Sequence, residues 1–96
     1  MYALVLLRHA SGAAAPEHEP FIDSLIERKL VLLGGAVAPP AGDIAAAYVL
    51  RCSGLEEAEA IVARDPLVTS GAMSAECVEW RLVEIDAELV DPGLVV

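Results

Sequence analysis

The chain has 96 residues, 56% apolar but only 4% aromatic, and its 15 acidic against 6 basic side chains give a formal net charge of −9. With no cluster of Lys and Arg anywhere, such a chain repels phosphate backbones and anionic lipid surfaces, which argues against nucleic acid and membrane as partners. The longest apolar stretches, ALVLL and LVLLGGAVAPPAG, are too short or too broken by Gly and Pro to span a bilayer, and the N-terminus lacks the basic flank of a signal peptide, so a soluble, cytoplasmic protein is expected.

The chain reads as one domain, residues 1–96, with its core over about 2–85 and a C-terminal tail over 86–96. A domain of this size buries only roughly 60 to 65% of the surface its unfolded chain exposes, so its stability is expected to lean on self-association. Tyr2 to Arg8 is a compact apolar run that suits a buried strand, ending at Arg8-His9 and the loop SGAAAP. From about Pro16 the period changes. His18, Phe21, Ile22, Leu25 and Ile26 fall at i, i+3, i+4, i+7 and i+8, the apolar stripe of an amphipathic helix with His18 at its cap or in its first turn. A second strand is predicted from Leu30 to Val37, interrupted at Gly34-Gly35 and ended by APPAGD, and a third from Ile44 to Arg51.

Ser53-Gly54-Leu55-Glu56 matches a capping box and opens a second helix from about Leu55 to Arg64, with Leu55, Ala58, Ile61 and Val62 facing inward. Pro66 disfavours helical geometry at the residue before it, so the helix should stop at Asp65 and leave that carboxylate on a turn. Glu76 to Ile85 alternates well enough for a final strand, with Val78, Trp80 and Leu82 on one face and Cys77, Glu79, Arg81 and Val83 on the other. The order β-α-β-β-α-β is the split βαβ arrangement, an α+β, ferredoxin-like layer of two helices on a four-stranded antiparallel sheet. Helices cover one face of such a sheet and leave the other in need of cover. Two sheets packed face to face supply it, so a homodimer is predicted, with the tail LVDPGLVV either extending the interface or fraying.

A titratable imidazole on an apolar helical stripe needs a reason to be there, and Asp65 just beyond the second helix can supply it. An imidazole exchanges protons near neutral pH, and a neighbouring carboxylate orients the ring and stabilises its charged form, which makes His18 a candidate general base or acid. That chemistry needs no cofactor. Arg8 and His9 project to opposite faces of the first strand, so only one of them easily faces a pocket. Arg8 could bind a phenolate or carboxylate there, Ser70 could donate a hydrogen bond, and Gly34-Gly35 could admit a ligand close to the backbone. Cys52 and Cys77 have no CxxC pattern and no His at ligand spacing; free thiols are expected and no metal site is proposed. GGAVAPP matches neither of the glycine-rich nucleotide loops. Plainer uses compete for the same residues: a capping or half-buried polar group for His18, a turn carboxylate for Asp65, a surface strand end for His9, and a core or interface residue for Trp80.

A helical His followed by a strand ending in Gly and a small residue, here His18 and Gly35-Ala36, and then a DP-x-V-x-x-G segment, here Asp65 to Gly71, resembles the YCII-related (YciI-like) family of the dimeric α/β-barrel superfamily over Tyr2 to Val83. The resemblance implies a His and Asp active-site pair, transferred onto His18 and Asp65, in a pocket between sheet and helices that takes a small-molecule ligand. This chain departs from the family at Ala15, where an Arg often precedes the His, and at Ala36, where Pro often follows the Gly. The family includes a dehydrochlorinase of chlorinated hydroxyquinols. Three functions follow as expectations: a cofactor-independent lyase or isomerase acting on a small aromatic or polyketide-like substrate, a non-catalytic accessory dimer that binds a small molecule, and a cofactor-free monooxygenase. Truncating His18 to Ala is expected to abolish any activity with little loss of stability.

Overall fold

In the computed structural model, which describes residues 1–11 and 17–83, the first strand sets the layering. Along β1, Tyr2–His9, the side chains of Ala3, Val5 and Leu7 are wholly buried and those between them are not. Period two therefore sends one row into the core and the other to the opposite face of the sheet. The remaining elements are α1 (His18–Glu27), β2 (Val31–Ala41), β3 (Ile44–Arg51), α2 (Leu55–Val62), α3 (Pro66–Thr69) and β4 (Met73–Glu79). They form the expected α+β ferredoxin-like fold, with all pairings antiparallel and strand order β2-β3-β1-β4. The expected loop SGAAAP with Ala15, the last residues of the predicted final strand and the tail lie wholly or largely outside the described residues.

Val5 pairs with Tyr48 on one side and Cys77 on the other, which puts all three on the helix-covered face. There, Leu25 from α1 and Ala58 and Val62 from α2 close over Val5, Leu7, Tyr48 and Leu50 to make the core. Burying these groups removes apolar surface from water at about 25 cal/mol per Å², the main favourable contribution to folding. The second face carries Leu4 between Val49 and Val78, with Leu33 beyond Val49. Leu33, Val78 and Trp80 keep 48, 38 and 45% of their surface exposed.

Several boundaries differ from those read in the sequence. β2 runs on through Pro39 and Pro40 to Ala41 instead of stopping at Val37. Proline lacks the N–H that a central strand must donate, but β2 is an edge strand, and its register with β3 shifts between Ala36 and Ala41. The turn into β3 then uses Gly42 at φ +62, a left-handed conformation that costs glycine little. The second helix is shorter than predicted; the chain turns at Ala63 and makes a further short helix, α3, where only a turn was expected. Ser53 does engage a glutamate, but its hydroxyl bonds Glu57, one residue beyond the predicted Glu56, and the cap position belongs to Gly54. β4 starts earlier and ends earlier than predicted. Behind its first residue, Met73, Ser74 and Ala75 carry too little apolar weight to announce a strand, and its ladder closes with the Trp80 N–H donating to the Tyr2 carbonyl, where β1 itself begins.

Candidate active site

α1 begins immediately after Glu17, so His18 is its first residue and lies one turn before Ile22 on the stripe that packs toward the sheet. Asp65 arrives from the other side of the core. α2 is anchored by Ala58 and Val62, and Pro66 forces Asp65 into extended backbone (φ −61, ψ 126), where it caps α3. Asp65 Oδ1 lies 2.8 Å from His18 Nδ1 and accepts from the Leu67 N–H at 2.9 Å. The carboxylate side chain is fully buried while the imidazole is 25% exposed.

An ionised carboxylate has only acceptors, so the ring nitrogen beside it carries the proton, and Nε2 of a neutral imidazole is left with a lone pair. Burying a carboxylate costs free energy that only paired donors can offset, and here two donors converge on one oxygen. The turn-carboxylate and acid/base readings of Asp65 are thus the same geometry: the Leu67 amide fixes the oxygen that fixes the ring. Asp65 Oδ2 has no hydrogen-bond partner among the described residues.

His18 lines an open cleft of about 990 Å³ between α1 and the β2–β3 hairpin. Ile22 and Ile26 continue its helical wall, Leu67 and Met73 line it as well, and Gly34, Ala36, Ala46 and Tyr48 contribute from the sheet. Gly34 faces Tyr48 and Ala36 faces Ala46 across the strand pair, so in this part of the sheet wall the Tyr48 ring stands beside residues with almost no side chain. At Gly34 the smallness is obligatory. A Cβ there would collide with Tyr48 Cβ and approach both the Ala47 carbonyl oxygen and Tyr48 Cα to 3.1 Å. The cleft is of the size and apolar character that suit a small ring compound.

Of the residues singled out in the sequence, the fold brings together His18, Asp65 and Gly35, the last on the cleft wall. Arg8 is on the second face of the sheet, where its guanidinium donates to Asp43 Oδ1 at 2.7 Å and Glu76 Oε1 at 3.0 Å; these bonds, Glu76 first, hold its proton more tightly still. His9 is exposed at the end of β1, and its backbone N–H donates to the Asp43 carbonyl. Ser70 closes α3, with Oγ accepting from the Ala72 N–H at 3.3 Å. Neither His9 nor Ser70 lines the cleft. Cys52 and Cys77 are free thiols; burial, then the charge of Glu59, pushes the Cys77 thiol up. No group of three or more His, Cys, Asp or Glu suited to a metal ion occurs among the described residues, and no helix there is long and apolar enough to cross a membrane.

Tyr48 was not foreseen as part of the site. Its side chain is 4% exposed, it lines the cleft, and its hydroxyl has no partner among the described residues. Burial, then the charge of Asp65, pushes its phenol well above the usual range. The signal in the sequence was slight: one aromatic residue in the otherwise small-to-aliphatic strand IAAAYVLR.

Two main helices on one face of a four-stranded antiparallel sheet make a ferredoxin-like α+β sandwich, with an imidazole–carboxylate pair beside its cleft. The YCII-related domain matches residues 3–81, and the chain belongs to that family. It is 37% identical over 65 residues to the uncharacterized protein YjpA of Bacillus subtilis (strain 168), a stretch that makes up 68% of this chain and 73% of YjpA. Among solved structures it resembles 5-chloro-2-hydroxyhydroquinone dehydrochlorinase (TftG) from Burkholderia phenoliruptrix AC1100, in complex with 2,5-dihydroxybenzoquinone, with a TM-score of 0.65 at 16% identity over 84% of this chain and 94% of that one.

Proposed function

We propose that the protein is a cofactor-independent lyase or isomerase in which His18 and Asp65 act as a general acid/base pair on a small aromatic or polyketide-like substrate. The observation that carries this reading is the 2.8 Å contact between His18 Nδ1 and a fully buried Asp65 carboxylate, with the imidazole itself on the wall of the cleft. His18 Nε2 takes a proton from an acidic C–H or O–H, and Asp65 holds the resulting imidazolium. The electron pair left behind either expels a leaving group from the neighbouring carbon, which is elimination, or moves along the conjugated system until the imidazolium returns the proton elsewhere, which is isomerisation. The dehydrochlorinase of the same fold supports an elimination on a ring of this size.

Gly35 borders the substrate in this reading. Arg8 lies on the opposite face of the sheet, tied to Asp43 and Glu76, and His9 and Ser70 stand outside the cleft lining, so none of the three has a part in it.

The experiment is proton exchange at carbon. Hydroxylated quinones, phenols and β-dicarbonyl compounds are incubated in D2O and followed by proton NMR with wild type, His18→Gln and Asp65→Asn. Wild type should incorporate deuterium into at least one compound, with about a hundredfold or greater loss in each variant, the usual contribution of general acid/base catalysis. Equal exchange by wild type and variants contradicts the pair, and binding without exchange supports the accessory binding module instead.

A further inference from the structure

The Tyr48 hydroxyl has no acceptor to donate to among the described residues. Among the described residues only two buried side-chain polar atoms lack a partner, Tyr48 Oη and Asp65 Oδ2. Folded proteins pair nearly all such groups, because a buried hydroxyl has given up its hydration, and an exception calls for an explanation. Core packing does not supply one here, since a Phe ring would fill the same space without stranding a polar atom.

Three features of the surroundings point the same way. Tyr48 belongs to the wall of the cleft that His18 lines from the opposite side. Gly34, Ala36 and Ala46 beside it on that wall carry almost no side chain, while Tyr2, Leu7 and Met73 supply bulk elsewhere in the lining. The close approach of Gly34, where a Cβ would strike Tyr48 Cβ, fixes where the ring starts from the strand. Burial and the nearby Asp65 charge keep the phenol protonated across the range in which an imidazole works, so the group can donate but cannot serve as a base.

We propose that Tyr48 donates its hydroxyl hydrogen bond to a ring-borne carbonyl oxygen of the ligand held in the His18 cleft. This rests on the acid/base reading of the site and specifies its substrate: a ring ketone or the keto tautomer of a hydroxylated ring, whose carbonyl activates the saturated ring carbon that His18 deprotonates. The proton goes from carbon to His18 Nε2, and the C–H electron pair shifts through the ring onto that oxygen. Tyr48 meets the developing negative charge with its O–H and keeps its own proton. Such a preorganised donor contributes most in an apolar site from which water has been removed.

The test is Tyr48→Phe with 2,5-dihydroxybenzoquinone as the probe, binding measured by calorimetry and deuterium exchange by NMR, each alongside the melting curve of the ligand-free protein. The Phe variant should melt at or above the wild-type temperature, bind the probe at least tenfold more weakly, and lose exchange activity by at least tenfold. Equal binding and exchange in wild type and Tyr48→Phe overturns the role of Tyr48 and leaves the His18–Asp65 reading standing. A Phe variant that melts well below wild type also overturns it, because the hydroxyl would then have a structural partner. A wild type that neither binds the probe nor exchanges carbon-bound deuterium in any compound of the panel takes down the acid/base reading and this assignment together.

Discussion

His18 does two jobs that mutation separates. Its Nδ1 side supports a carboxylate that is wholly buried, and its ring lines the cleft. The expectation that truncation would leave stability untouched overlooks the first job. With His18→Ala, Asp65 Oδ1 keeps only the Leu67 amide, and an under-bonded buried carboxylate costs about 1–3 kcal/mol. A denaturation midpoint lowered by that amount is the expected result; an unchanged midpoint means that water substitutes for the imidazole. Asp65→Asn is the cleaner probe of chemistry. Its carbonyl oxygen can still accept from Leu67 and from the imidazole, so the fold should hold while the support for an imidazolium is removed. Both residues were legible in the sequence, His18 because an imidazole interrupts an apolar stripe and Asp65 because Pro66 had to stop a helix beside it. Tyr48 was not legible, because what distinguishes it is that its buried hydroxyl has no partner among the described residues, which only the folded neighbourhood reveals.

Among the elements, the β2–β3 pair shapes the cleft. Gly34→Ala should be among the more damaging single-methyl additions available, because its Cβ meets backbone and Cβ atoms of β3 that cannot rotate away. Overpacking of this kind costs about 1–3 kcal/mol, which in a domain of this length lowers Tm by several degrees and displaces the Tyr48 ring. Gly35→Ala, one residue on with open space around its Cβ, is the control and should melt close to wild type. A Gly34→Ala protein as stable as Gly35→Ala would contradict the register described for this hairpin. Hydrophobic period and turn residues located every main element, but the edges of β2, α2 and β4 depended on which backbone lay alongside. Prolines are tolerated in β2 because one side of that strand has no partner to satisfy, and β4 stops where β1 runs out. Neither fact is written in the segment it limits.

For the whole molecule, the open question is what covers the second face of the sheet. Leu33, Val49, Leu4 and Val78 form a row across it, and both ends of that row remain substantially exposed, as does Trp80. We expect a homodimer that packs these faces together, despite the chain's formal charge of −9, because the row itself is apolar and the carboxylates Asp43 and Glu76 at its margin are tied to Arg8. Sedimentation equilibrium should give twice the chain mass for wild type and a monomer for Leu4→Lys, which would bury an unpaired ammonium in the middle of the row. A wild-type monomer, or a Leu4→Lys protein that still dimerises, would place the interface elsewhere. That a second face existed and was apolar followed from the alternation in β1 and β3; how it is assembled depends on a surface shared between chains.

That His18 and Asp65 work as one unit at the cleft is tested most directly by the imidazole ¹⁵N shifts of His18. In wild type at neutral pH the spectrum should show the proton on Nδ1 and an unprotonated Nε2 that responds to added 2,5-dihydroxybenzoquinone, with the Nδ1–H preference lost in Asp65→Ala, which leaves that nitrogen no carboxylate to donate to. A His18 that carries its proton on Nε2, or whose tautomer is the same in wild type and Asp65→Ala, would contradict it.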